Sequence, residues 1–278
     1  MNAHTSHPRL RRAGLYALIV VILAMVIVPF GWMVLSSFKT PAEIRGLTDS
    51  WLPEGLYLGN YQGLQDTSFV TYFVNSIVIA VGTTALSIII AVLAGYGLAR
   101  FNFVGNRMLL IAIVTMQMFP AVLLAVPLYK MLSAAQLLDT RGGLVVVYIT
   151  FALPFCIWML RNYFLTVPVE VEEAALIDGC NRLTALWRVL LPPTMPAVAA
   201  AAAFCVIQVW EEFLYANTFI DSDELRPLSV GLNSLIGQYS TDWGRLMASG
   251  VLMVIPVVLI FAFLQRYLTQ LAGGSVKG

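Results

Sequence analysis

Residues 172–193 read EEAALIDGCNRLTALWRVLLPP, and they interrupt two uncharged stretches, Gly142–Leu160 before them and Val189–Trp210, which begins inside the quoted run. Pro168 suits a helix start. Glu170, Glu172 and Glu173 then fall in or near the first turn, where the helix dipole favours negative charge. Gly179 follows as a stop, because glycine takes the left-handed conformation that ends one helix and turns the chain toward another. The spacing predicts a second helix over Arg182–Leu191, with Leu183, Leu186, Trp187 and Leu190 on one apolar face and Pro192 and Pro193 at the entry to the next apolar run. Ala174 and Ala175 carry little side chain, so another surface could approach this segment closely. From these residues alone the segment is either an amphipathic loop at a membrane interface or a docking element for another protein.

The surroundings explain why such an interruption is unusual. Of 278 residues, 59% are hydrophobic and 11% are charged, with a mean hydropathy of +0.83, where a soluble domain carries roughly 25% charged residues. The charges divide the chain into the runs Ala13–Phe38, Thr67–Ala99, Met108–Tyr129, Gly142–Leu160, Val189–Trp210 and Leu246–Gln265. Each is about 20 residues or longer, enough for a helix to cross a hydrocarbon core of roughly 30 Å. The expectation is an all-α membrane protein with six transmembrane helices. Residues 1–12 and 266–278 are then tails, and 13–265 is one membrane domain embedded in lipid. The first run is too long for a signal-peptide core and no small-residue cleavage site follows it, so it reads as an anchor.

Arginine and lysine set the direction. With the N-terminus inside, ten basic residues (Arg9, Arg11, Arg12, Arg100, Arg107, Arg161, Arg182, Arg188, Arg266, Lys277) face the cytoplasm and six (Lys39, Arg45, Lys130, Arg141, Arg226, Arg245) face outward. Both termini and the segment 161–192 are therefore expected on the cytoplasmic side of a bacterial or archaeal inner membrane.

What is missing narrows the chemistry. No Asp, Glu, Lys, Arg or His lies inside any of the six runs, which counts against a proton-driven carrier. The only histidines are His4 and His7, and no HExxH or nucleophile elbow occurs. Lys39, Lys130 and Lys277 belong to no GxxxxGK[ST] loop, so any ATP, with its Mg, must be bound by another chain. Cys156, Cys180 and Cys205 share no metal-ligand or disulfide spacing, and no metal site is expected. A net charge of +1 with scattered basic residues argues against a nucleic-acid partner. A secondary carrier or channel working without an ATPase is the alternative that composition leaves open.

The spacing in the quoted stretch closely resembles the EAA motif of binding-protein-dependent ABC importer permeases: EAA, three residues, G, nine residues, I or V, one residue, LP. Glu173, Ala174, Ala175, Gly179, Val189, Leu191 and Pro192 occupy those positions, with Asp178 at the acid before the glycine. Cys180 stands where alanine is common and Trp187 where phenylalanine is frequent. Further likeness to the carbohydrate branch, similar to the maltose-type permease subunit, runs through NSIVIAVGTTALSIIIAVLAGYGLARFNFVGNR from Asn75, MQMFPAVLLAVPLY from Met116, LPFCIWMLRNYFLTVPVEVEEAA from Leu153 and QRYLTQLAGGSVKG from Gln265. At Trp210 that branch reads W-N-D-F, whereas this chain has Trp210, Glu211, Glu212 and Phe213.

The resemblance implies a type I ABC importer permease bundle, a subunit that carries out no bond chemistry itself. It implies a homologous permease subunit, an ATPase subunit dimer and an extracytoplasmic solute-binding protein as partners, and a cytoplasmic coupling helix built on Glu173, Ala174, Ala175, Asp178 and Gly179. The solute implied is a sugar or sugar-like molecule. Sugars are held by hydrogen bonds to hydroxyls and by aromatic faces, which selects Asn75, Ser76, Thr83, Thr84, Gln117, Gln208, Trp210, Tyr215 and Asn217 as pathway candidates. Gln117 stands out as an amide near the middle of its run, where an unpaired amide is costly.

Overall fold

The computed structural model describes residues 8–46, 50–236 and 241–274. His4, His7 and Lys277 of the expected tails lie outside the described residues. Among those described, regular structure is helical apart from one isolated bridge between Ile236 and Thr241. In chain order the helices are α1 (Pro8–Ser37), α2 (Pro41–Ile44), α3 (Gly59–Gln62), α4 (Phe69–Arg100), α5 (Asn106–Met116), α6 (Ala121–Ala134) and α7 (Arg141–Phe164). They continue as α8 (Val169–Ile177), α9 (Arg182–Ala185), α10 (Leu191–Glu211), α11 (Leu214–Phe219), α12 (Leu228–Gly231) and α13 (Trp243–Gly274).

Five of the six apolar runs form helices long and apolar enough to cross a membrane: Gly14–Ser37, Phe69–Arg100, Arg141–Phe164, Arg182–Glu211 and Trp243–Gln265. The third run differs from the single helix its length suggests, because α5 and α6 meet at 101°. Pro120 causes the break: it has no N–H to donate and disfavours helical geometry in the residue before it. The N–H groups of Gln117, Met118 and Phe119 instead reach back three residues, to Val114, Thr115 and Met116, at 3.1, 3.0 and 3.3 Å.

The described residues divide into two compact units, one from parts of 1–67 and 235–254, the other from parts of 68–234 and 255–278. In the larger unit α4 packs most extensively on α7, and α10 packs on both. Water is absent from a bilayer core, so helices there associate by close packing of small residues rather than by the hydrophobic effect. Thr83, Ser87, Ala91 and Gly95 provide such a face on α4, repeating every four residues, and Ala197, Ala201 and Cys205 do so on α10. At Gly95 an added Cβ would lie 3.0 Å from the backbone nitrogen of Arg161 and 3.3 Å from Leu160 Cβ, so a larger residue would push the two helices apart by a few tenths of an ångström.

The smaller unit is tied by polar groups. Thr40 and Glu43 cap α2 reciprocally: the Thr40 N–H and hydroxyl donate to Glu43 Oε2 at 2.6 and 2.7 Å, and Glu43 N–H donates to Thr40 Oγ1 at 3.3 Å. Glu54 N–H donates to the other Glu43 oxygen at 2.8 Å. The buried Asn60 amide donates to the carbonyls of Ser37 and Lys39, each at 2.9 Å, and Lys39 Nζ lies 4.9 Å over the Trp32 ring. Residues 38–46 and 50–61 are thus tied together by these polar contacts.

The hydrogen bonds from Glu54 and Thr40 hold the Glu43 carboxyl below its usual pKa of 4.5. A depressed folded-state pKa means that the stability this group contributes is present above that usual value and is lost as pH falls through the lowered one. Glu43→Gln is expected to flatten the acid limb of the unfolding-midpoint profile of the detergent-solubilised protein; an unchanged limb would contradict the assignment.

Candidate functional site

Two places in the larger unit gather the residues singled out above. The first is the connector between α7 and α10. Helix α8 starts after Pro168 and ends in a Schellman turn: Cys180 N–H reaches Ala175 O at 3.0 Å, Gly179 N–H reaches Leu176 O at 3.1 Å, and Gly179 has φ +89°. Nothing lies within 4 Å of a Cβ built on Gly179, so the requirement for glycine is one of backbone conformation alone. Asn181 then caps α9, its Oδ1 accepting from Thr184 N–H at 2.8 Å.

The second connector helix and the following span are one continuous helix, Arg182–Glu211. Residues Leu186–Leu190 widen into π-helical turns, with Leu191 N–H bonded to Leu186 O, five residues back. Pro192 and Pro193 supply the reason: their rings and missing N–H groups disturb the ladder of the preceding turn, and a wider turn accommodates them. The π turns also change the face that the spacing predicts. Leu186 and Leu190 are fully buried with Ala185, whereas Leu183 and Trp187 are exposed.

Of the motif residues on α8 and its turn, Glu173, Ala174, Asp178 and Gly179 are exposed and Ala175 is buried. Beside them Ile177 is 86% exposed in the isolated chain, giving this side of the connector an apolar centre edged with acids. Glu172 turns the other way. It is 4% exposed and pairs with Arg100 at the end of α4, Nε to Oε2 2.9 Å. The Arg100 N–H is not aligned on the oxygen, so the contact is held by charge rather than by a directed hydrogen bond. Tyr96 OH donates to Glu172 Oε1 at 2.6 Å, and Arg100 Nη2 donates to Val167 O at 2.9 Å. The motif spacing singles out Glu173 and is silent on the burial of its neighbour Glu172, which follows from helix phase, through its i,i+3 relation to the buried Ala175.

The second place is a cavity of about 610 Å³ in the elbow of α5 and α6, closed by α7, α10 and α11. Gln117, Gln208 and Tyr215 line it, with Phe151 stacked on Tyr215 at 4.8 Å and Phe155 on Phe204 at 3.8 Å between ring centroids. Gln117 sits at the α5–α6 break, where it caps α5, rather than within a continuous span. The remaining candidates lie elsewhere. Asn75 is buried and its amide donates to the carbonyls of Glu224 and Arg226 at 2.8 and 2.9 Å. Ser76 accepts from Leu228 N–H at 2.8 Å. Thr83 is buried on the packing face of α4, and Thr84 lies next to it. Trp210 is buried, its ring edge-on to Phe73 at 5.8 Å, and Asn217 is exposed on α11.

Glu212 shapes the cavity wall without having been selected from the sequence. It lies between α10 and α11, where its Oε1 accepts from Tyr215 N–H at 2.8 Å and its Oε2 from Ala216 N–H at 3.1 Å. Tyr148 OH, reaching across from α7, donates to the same Oε2 at 2.5 Å. Tyr215 OH in turn donates to Ala121 O at 2.5 Å, anchoring α11 to the start of α6. The carboxylate serves as the cap of a short helix inside the bundle.

The larger unit is thus a bundle of apolar helices around a largely apolar cavity that carries a few polar groups, with a structured two-helix connector. The chain belongs to the family of binding-protein-dependent transport system inner membrane components, whose family model matches residues 87–272. It is 34% identical to the inner membrane ABC transporter permease protein YcjP of Escherichia coli over 99% of both chains. It is 35% identical to the sulfoquinovosyl glycerol transport system permease protein SmoH of Agrobacterium fabrum, over 93% of this chain and 91% of that one. It is 34% identical to the diacetylchitobiose uptake system permease protein NgcG of Streptomyces coelicolor, over 100% and 91%. Its fold matches a chain of a bacterial ABC transporter involved in import of the acidic polysaccharide alginate, with TM-score 0.82 at 24% identity, over 96% and 99% of the two chains. The chain is therefore a multi-pass inner-membrane permease, a transport subunit and not an enzyme.

Removing the Glu212 carboxylate strands two backbone N–H groups and the Tyr148 hydroxyl. Glu212→Ala is expected to lower stability by about 1–3 kcal/mol for each buried donor left without an acceptor, and Glu212→Gln by less, since its carbonyl still accepts. Unfolding midpoints in detergent measure this, and a wild-type midpoint for Glu212→Ala would refute it.

Proposed function

We propose that this chain is the membrane-spanning subunit of an ATP-driven importer of a sugar or sugar-like solute. It works with a homologous permease subunit, an ATPase subunit dimer that binds ATP and Mg, and an extracytoplasmic solute-binding protein. The observation that carries this reading is the connector: an exposed acid-edged apolar surface, fixed by the left-handed turn at Gly179, in a chain of the binding-protein-dependent family. Glu173, Ala174, Ala175, Asp178 and Gly179 form the coupling helix and its turn, against which the ATPase docks. That docking puts the connector and both termini on the cytoplasmic side, in agreement with the basic-residue bias. ATP binding draws the docked connectors together and opens the pathway outward to receive solute.

The sugar assignment has separate support. The relatives SmoH and NgcG are named for uptake of a sulfoquinovosyl glycerol and of diacetylchitobiose, and a related alginate transporter structure holds a pentasaccharide-bound periplasmic protein. In this chain the cavity offers stacked aromatic faces with Gln117 and Gln208 as hydrogen-bonding amides, the combination that sugars require. We assign solute contact to Gln117, Gln208 and Tyr215, and structural roles to Asn75, Thr83 and Trp210.

Proteoliposomes holding this chain, its permease partner and its ATPase, supplied with binding protein and labelled oligosaccharides, test both parts. Gly179→Val imposes a backbone strain of roughly 1–2 kcal/mol on the turn, and Glu173→Lys places a cation at the positive end of α8, costing about 0.3–1 kcal/mol there and reversing its charge toward the ATPase. Both variants are expected to insert at normal abundance but to lose ATPase co-purification or ATP-dependent uptake; wild-type behaviour of both in both assays would make the connector a passive loop. Gln117→Leu is expected to keep the ATPase bound while lowering uptake, and unchanged uptake kinetics would remove Gln117 from the pathway.

A further inference from the structure

We propose that the buried pair of Glu172 and Arg100, completed by Tyr96, is the rigid link that carries movement of the connector into the transmembrane bundle, which makes Glu172 and Arg100 positioning residues for coupling. The inference rests on the reading of the connector as the ATPase-docking element, and goes beyond it by locating where that element grips the bundle.

The connector has four acids, and three of them, Glu170, Glu173 and Asp178, are exposed. Glu172 alone is directed inward, and its side chain and that of Arg100 are 6% and 5% exposed. The grip is applied at several points. Glu172 holds Arg100 by charge at 2.9 Å and accepts from Tyr96 at 2.6 Å, while Arg100 reaches Val167 O, just ahead of α8, at 2.9 Å. The other connector helix holds the same end of α4: the Arg182 guanidinium lies 4.8 Å over the ring of Phe101, the residue that follows α4, and that ring meets Tyr96 edge-on at 5.8 Å. Both connector helices are therefore fastened to α4, the helix that packs most extensively on α7 and also against α10.

A buried ion pair is a poor device for stability alone, because well-packed apolar side chains of similar volume serve as well or better. It is a good device for fixing geometry. If one charge moved away from the other, a desolvated ion would be left without its partner, so the pair resists separation far more steeply than an apolar contact of the same size. Placed between α8 and α4, it makes displacement of the connector and displacement of the bundle a single movement.

The test separates this role from simple packing. Wild-type and variant permeases are reconstituted with the ATPase and binding protein, and solute uptake per ATP hydrolysed is read beside abundance, unfolding midpoint and ATPase co-purification. Glu172→Gln is expected to lower uptake per ATP by about tenfold with the ATPase still bound, since the residue faces away from the docking surface. Tyr96→Phe removes one hydrogen bond and leaves the charges, with an expected loss of about two- to threefold. The double variant Arg100→Met/Glu172→Leu removes both charges; it is expected to regain wild-type abundance and midpoint while uptake per ATP stays low and ATP hydrolysis no longer responds to solute-loaded binding protein. Wild-type uptake per ATP in the double variant would overturn the proposal, as would loss of ATPase co-purification in Glu172→Gln. Absence of ATP-dependent uptake by the wild-type assembly would instead overturn the underlying functional reading, whatever the variants do.

Discussion

The close crossing of α4 and α7 at Gly95 is the constraint on which the rest of the larger unit depends. In a medium as apolar as the side chains, two helices gain nothing by hiding hydrophobic surface from one another, so their attraction comes from backbone-to-backbone proximity. Gly95 permits that proximity, since even a Cβ there would come within 3.0 Å of the Arg161 backbone nitrogen. The residues that follow inherit the geometry. Tyr96 is next in the chain and Arg100 lies five positions beyond Gly95, so the crossing that fixes α4 against α7 also aims both side chains at Glu172 on α8.

Polar groups in this chain show how few choices a bilayer allows. Asn75, Ser76, Glu212 and Tyr148 each bond to a group distant in sequence. Glu212 is the instructive case, since a carboxylate at the end of a membrane helix suggests a site for a cation or a proton. Its oxygens are instead occupied by two backbone N–H groups and a tyrosine hydroxyl. It organises the wall of the cavity, leaving Gln117 and Gln208 as the amides presented to its interior.

Much of this architecture is legible in the sequence because charge is so expensive in a membrane that the uncharged runs mark the spans directly. The start of α7 at Arg141 and the end of the Arg182–Glu211 helix fall next to the ends of their runs at Gly142 and Trp210 for that reason. The turn at Gly179 is equally legible, since a glycine at the end of a predicted helix is the residue that takes a left-handed cap. What depends on helix phase is not. Pro120 and Pro192 announce a disturbance but not its form: one yields a sharp break, the other a π turn that rotates Leu183 and Trp187 outward. Glu172 and Glu173 are identical letters, and only tertiary packing decides which is buried. The pathway candidates divide for the same cause, because an amide or hydroxyl that faces a cavity and one that faces a neighbouring helix look alike in a one-dimensional pattern.

The continuity of the helix from Arg182 to Glu211 gives the connector mechanical leverage. A helix of 30 residues is a rod about 45 Å long. Tilted through roughly 5°, such a rod sweeps its far end by about 4 Å, comparable to the width of one side chain. The widened turns at Leu186–Leu190 lie near one end of the rod, where they interrupt its regular ladder yet leave most of its length stiff. A small angular change at the connector end would thereby arrive at Gln208 and Glu212, on the opposite end, as a displacement large enough to reshape the cavity wall.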